Sequence, residues 1–180
     1  MSLSKSSASF LFWCLLVIAL PLSPASAQLA PEQDAGWQSD IEGLRHFSGL
    51  RCPDVIGAFF RIKVLEGDNV ALAGCIYTGR DGMTAVLRKH LQGTGRQEAL
   101  RYSRNYKSAG FDPISLTGAA ASGISFKTRA WTPTTLIETL WYFDGAKADF
   151  TLWLTYTLPT QEIDVGPAVS SFTSALARQN

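Results

Sequence analysis

His46 and His90 are the side chains of this chain best suited to moving a proton near neutral pH. Work of that kind needs a nucleophile beside the ring and a third group to orient it. Neither histidine has such company in the sequence, and the two fall on separate segments. The patterns that announce catalytic sites are missing: there is no Gly-x-Ser-x-Gly elbow, His-Glu-x-x-His pair, phosphate loop or dinucleotide fingerprint. The Ser-x-x-Lys pair, Ser2 and Lys5, lies at the extreme N-terminus. Lone histidines read as structural or surface residues, so no catalytic residue is assigned. The carboxylates add little, because turn chemistry accounts for Asp144 and Glu138 falls on the outer face of a strand.

Cys52 and Cys75 are the next candidates. Their spacing matches neither a Cys-x-x-Cys redox pair nor a zinc site, so no metal or cofactor is expected. Cys14 falls within an expected N-terminal leader, and in an oxidising compartment the two cysteines that remain after processing read as one disulfide, the alternative being two thiols. A third cluster is basic. Arg80, Arg88, Lys89, Arg96, Arg101, Arg104 and Lys107 are opposed within their segment only by Asp81 and Glu98. Such a run either attracts an anionic partner or forms a solvated face. Nothing beside it points to nucleic acid.

The compartment is indicated by the first residues. Lys5 precedes an apolar run from Phe10 to Leu20, then Pro21, Pro24 and the small triplet Ala25-Ser26-Ala27. That is the layout of a secretory signal peptide over 1–27, cleaved after Ala27. The run is too short to span roughly 30 Å of hydrocarbon. A periplasmic or extracellular protein without a transmembrane segment is expected. The chain has 16 Lys and Arg against 15 Asp and Glu, so losing Lys5 leaves the mature charges balanced. The mature length suits a single domain with a sizeable core. A polar lead-in is expected over 28–48, with "WQSDIEGLRHF" as a turn or two of helix, followed by one α+β domain over 49–180.

Within that domain, alternation gives the strands. "IGAFFRIKVLEGDNVALAGCIY" reads as a hairpin around Gly67-Asp68-Asn69. Its inner face would combine Phe60, Ile62 and Val64 with Ala71, Ala73, Cys75 and Tyr77, leaving Arg61 and Lys63 outside. Its outer face would carry Phe59, Leu65, Leu72 and Ile76. "MTAVLRKHL" makes a third strand. A helix follows, capped by Thr94 with Gln97 closing a capping box, burying Ala99, Tyr102 and Tyr106, and ending at Gly110. A second meander comprises "GISFKTRAW", "TTLIETLWYF" and "ADFTLWLTYTL", with Asp144-Gly145 in the last turn. Its inner face carries Ile137, Thr139, Trp141 and Phe143 with Ala148, Phe150, Leu152, Leu154 and Tyr156. A closing helix starts at Asp164, with Pro167 in its first turn. The expected fold is therefore α+β: two three-stranded antiparallel meanders with at least two amphipathic helices, an α/β/α sandwich being one arrangement of them.

The outer face of the last hairpin holds Leu136, Leu140, Tyr142 and Trp153, which is too apolar for open solvent. Two accounts fit. Either a helix covers each side of the sheet, or the face receives an apolar ligand or an envelope protein, with Leu140, Tyr142 and Trp153 as its contacts. The run from Gly123 to Leu176, with its strand meander and a closing helix carrying Ser171-Phe172, resembles the PsbP/Mog1-like class. The resemblance implies an α/β/α sandwich with an accessory, assembly or binding role. A non-enzymatic binding or accessory module of the cell envelope is the expected function. The alternative is a small hydrolase or transferase built around His90 and the basic segment.

Overall fold

Threonines alternating with aromatics, interrupted by Asp144-Gly145, leave residues 134–158 little choice but a hairpin. In the computed structural model, which describes residues 36–179, that hairpin is the longest element pair. The strands are β1 (Trp37–Asp40), β2 (Gly43–His46), β3 (Arg51–Pro53), β4 (Val55–Ile56), β5 (Phe59–Leu65), β6 (Ala73–Gly79), β7 (Thr84–Leu91), β8 (Asp112–Ile114), β9 (Ile124–Trp131), β10 (Thr134–Phe143) and β11 (Ala148–Leu158). The helices are α1 (Gly95–Ser108) and α2 (Glu162–Ala177), with a short 3-10 turn at Gly118–Ser122. The expected leader over 1–27 lies outside the described residues.

The two meanders are one sheet. Strands β4 to β11 form an eight-stranded antiparallel sheet in the order β4-β5-β6-β7-β11-β10-β9-β8, and β1, β2 and β3 form a separate three-stranded sheet. The join is the pairing of β7 with β11, where Leu87 faces Leu152 and Ala85 faces Leu154. The α+β class and its two helices stand as expected, whereas the division into two three-stranded sheets does not. Each meander ended in an apolar strand with a free edge, and those edges satisfy each other.

The β10–β11 register agrees with the alternation: Ile137 opposes Tyr156, Thr139 opposes Leu154, Trp141 opposes Leu152 and Phe143 opposes Phe150. Against this face packs α2 through Val165, Ala168, Phe172, Ala175 and Leu176, all buried. The Phe172 ring meets Phe59 and Tyr77 edge-on, at 5.3 and 5.4 Å. A buried chain of hydroxyls runs through the same layer, from Ser125 to Thr139 at 2.9 Å and from Thr139 to Tyr156 at 2.8 Å.

Four local expectations are corrected. First, the segment from Trp37 is no helix and no loose lead-in: it is the β1–β2 hairpin, with Trp37 opposite His46, joined to β3. Ile41, read as the middle of a helical stripe, is 100% exposed at the hairpin tip. Second, β5 carries a bulge between Arg61 and Lys63. The extra residue flips the alternation, so Phe59 and Val64 are buried while Phe60 and Ile62 are 38% and 60% exposed. Arg61 thereby lies opposite Tyr77 on the inward side, where Asp54 pairs with it. Third, Thr94 makes no side-chain cap on α1; its hydroxyl donates to the Leu91 carbonyl at 2.7 Å. Fourth, α2 begins at Glu162 rather than after Asp164, which puts Pro167 inside the helix.

The disulfide between Cys52 and Cys75 is formed, with Cα atoms 6.1 Å apart and both residues fully buried. It bonds β3 of the small sheet to β6 of the large one.

Candidate functional site

Helix α1 lies on the face of the large sheet opposite α2. It crosses β10 and β11 and reaches β8 and β9. Its fixing point is a strand carboxylate: Asp149 Oδ2 accepts the backbone N–H of Gly95 at 2.8 Å. An anion at a helix N-terminus satisfies an otherwise orphaned donor and the positive end of the dipole. Gly95 is required there, since a Cβ would sit 2.8 Å from Cβ of Asp149. Ala99 is buried, and the Tyr102 and Tyr106 rings lie tilted against each other at 4.2 Å and stand edge-on to Trp153 at 5.6 and 6.0 Å. The Tyr106 hydroxyl donates to the Glu138 carboxylate. Burial, followed by that bond and the carboxylate charge, holds the Tyr106 phenol above its usual range.

Because α1 spans only the β8–β11 half, a cleft of about 340 Å³ opens between the helix and β7. Leu140 and Trp153 are direct cross-strand partners and line it together with Val86. Arg88 and Arg101 also line it, each with a carboxylate of its own: Arg88 with Asp68 at 2.7 Å and Arg101 with Glu98 at 2.6 Å. At the β7 wall stands His90, buried, with Nδ1 donating to the Val70 carbonyl at 2.9 Å. That bond leaves Nε2 to accept from the Thr151 hydroxyl at 2.8 Å. Burial first, and Arg88 after it, lower the His90 pKa, while the Val70 carbonyl, Glu98 and Asp149 oppose the shift. The balance favours the neutral ring.

Trp153 and Arg88, both of which line the cleft, each carry a buried N–H, Nε1 and Nε, without a hydrogen-bond partner among the described residues. Leaving such a group unmatched costs about 1–3 kcal/mol. The cleft combines an aromatic floor with charged walls whose ion pairs are internally neutralised.

The sequence-derived candidates separate on this geometry. Leu140 and Trp153 come together, but Tyr142 lies opposite Thr151 at 38% exposure and does not line the cleft. The basic segment is scattered. Arg88 enters the cleft, Lys89 points to the other side of the sheet, and Arg96, Arg104 and Lys107 are exposed on α1. His46 is buried between Trp37 and Phe47, its Nδ1 accepting from the Ser48 backbone at 3.2 Å. Sequence reasoning missed Asp68, Glu98, His90 and Thr151 as neighbours. The only sequence signal for His90 and Thr151 was their polarity on strands otherwise apolar, and Asp68 and Glu98 come from a turn and from α1.

No protein-family model, curated protein or solved structure matches the chain.

Proposed function

We propose that this is an exported binding or accessory module of the cell envelope, and that the cleft beside α1 holds its ligand. The reading rests on one observation: Val86, Leu140 and Trp153 form an apolar floor in an open cleft beside α1. A largely apolar ligand matches that floor. The volume falls at the lower end of the roughly 300–1,000 Å³ of small-molecule clefts. Helices on both faces of the sheet fit the α/β/α sandwich of the PsbP/Mog1-like class, whose accessory role agrees with this proposal.

Binding of the neutral dye N-phenyl-1-naphthylamine, followed by fluorescence, tests the reading. Val86→Lys places a charge at a half-buried cleft position and should abolish dye binding while the far-UV circular dichroism is retained. Equal dye binding by the variant and the unmodified protein would remove the cleft from consideration.

A second reading, a small hydrolase, draws on the Thr151–His90 hydrogen bond, whose tautomer is that of a hydroxyl nucleophile and its base. Burial of both groups weighs against it. Hydrolysis of p-nitrophenyl acetate that disappears in Thr151→Val would favour it over the binding reading.

A further inference from the structure

On the face of the sheet opposite the α1 cleft, three parts of the fold enclose a recess of about 480 Å³. The small sheet contributes Arg45 and Arg51, the β10–β11 turn contributes Lys147, and the end of α2 contributes Arg178. Lys89 rises from β7 beside Phe150, its cross-strand neighbour, whose buried ring forms part of the floor. No Asp or Glu lines the recess.

Few of these charges are neutralised. Arg51 Nε stands 3.5 Å from Asp40, in a pair that is largely solvent-exposed. Arg178 Nη1 donates to the Ser174 carbonyl at 3.3 Å, and the negative end of the α2 dipole accounts for its position. Lys89 Nζ donates to the Ser48 carbonyl at 2.6 Å, which leaves two of its three N–H groups free. Arg45 and Lys147 have no ion-pair or hydrogen-bond partner among the described residues.

A solvated basic face does not explain this arrangement. Over the whole chain the charges nearly cancel, at 16 basic and 15 acidic residues, so carboxylates were available to interleave. Like charges in one recess repel, by about 1 kcal/mol per pair at 4 Å even in water. Lys89 is half-buried as well, and burial holds its ammonium below the usual lysine range. Gly49 lies beside it at φ +86°, where a Cβ would make an ordinary contact of 3.4 Å with the Lys89 Nζ.

We propose that this recess binds a small, multiply charged anion bearing phosphate or carboxylate groups. Arg45 offers a planar fork that suits two oxygens of one group, and Lys147 and Lys89 act as point charges on a second. The same chemistry is presented by a free phosphorylated or polycarboxylate metabolite and by the headgroup of an anionic lipid.

Titration calorimetry of the full chain with inorganic pyrophosphate, at low and at physiological salt, reads the site directly. Binding is expected, weaker at the higher salt. The double variant Arg45→Gln/Lys147→Gln changes two exposed side chains and should weaken it by at least about tenfold, with an unchanged melting profile in the absence of anion. Arg104→Gln/Lys107→Gln on α1 removes the same charge elsewhere and should leave affinity within about twofold. Co-sedimentation with phosphatidylglycerol vesicles separates the sources: capture that pyrophosphate competes away indicates a headgroup, and no capture indicates a free anion. Absence of pyrophosphate binding overturns the proposal, as does equal weakening by the two double variants.

Discussion

The side-chain amide of Gln179 makes both main-chain hydrogen bonds of Arg51. Its Nε2 donates to the Arg51 carbonyl at 2.7 Å, and its Oε1 accepts the Arg51 N–H at 3.0 Å. One glutamine thus does for the outer edge of β3 what another strand residue would do. The two residues are 128 positions apart, so the bond pair ties the end of α2 to the small sheet. Gln179→Ala should lower stability by about 1–2 kcal/mol, the worth of two modest hydrogen bonds in a solvent-exposed place. Urea denaturation checks this, and a midpoint unchanged from the unmodified protein would show that the clasp contributes nothing.

Trp141 and Trp153 point to opposite faces of the same sheet. Trp141 is buried and donates from Nε1 to the Ala119 carbonyl of the 3-10 turn at 3.1 Å. Trp153 is half-buried under Tyr102 and Tyr106. Trp141→Ala should cost about 3–5 kcal/mol. Trp153→Ala should cost less but clearly more than the roughly 0.5 kcal/mol of an exposed position. A denaturation midpoint for Trp153→Ala equal to the unmodified protein's would mean that α1 does not protect this face in solution.

His90 makes stability depend on pH with a definite sign. Its folded pKa lies below the unfolded 6.5 because burial disfavours the charged ring. The unfolded chain therefore takes up the proton first, and the stability contributed by neutral His90 is complete above about pH 6.5 and falls as the pH drops below it. His46 is shifted the same way, by burial and then by Lys89. Melting temperature should decline from pH 7 to pH 5, and His90→Gln should flatten the slope without removing it. An identical slope in that variant would assign the effect elsewhere.

The Cys52–Cys75 bond closes a sequence separation of 23. Loops near that length gain roughly 3 kcal/mol from a disulfide through restriction of the unfolded chain. Reduction should therefore lower the denaturation midpoint markedly, and Cys52→Ala/Cys75→Ala should match the reduced protein. Peptide mapping under non-reducing conditions that recovers both thiols free would contradict the bond.

What the sequence disclosed follows from how far each signal reaches. Long alternating strands flanking Asp144-Gly145 placed the residues assigned in the β10–β11 hairpin on their observed faces, although four residues separate the strands. The same reasoning failed on β5, because one bulged residue at Ile62 reverses the alternation with no mark in composition. It failed at Trp37, Ile41 and Leu44 because a short hairpin and a helix share spacings of three and four. Asp40 held the turn signal, since its carboxylate accepts the N–H of Ile41 at 2.9 Å. Leu140 and Trp153 were legible as an apolar outer pair. The recess around Lys89 was not, because Arg45, Lys147 and Arg178 come from segments that no window spans.

The β7–β11 seam also constrains the order of assembly. His90 and Thr151, bonded across it, lie 61 positions apart, and the hairpin that fills the middle of the sheet is nearly the last part of the chain to be made. Until it arrives, β7 offers a bare apolar edge, the kind of surface on which unfinished chains pair with one another. Chains cut short before Ala148 are therefore expected to aggregate rather than to persist as soluble fragments.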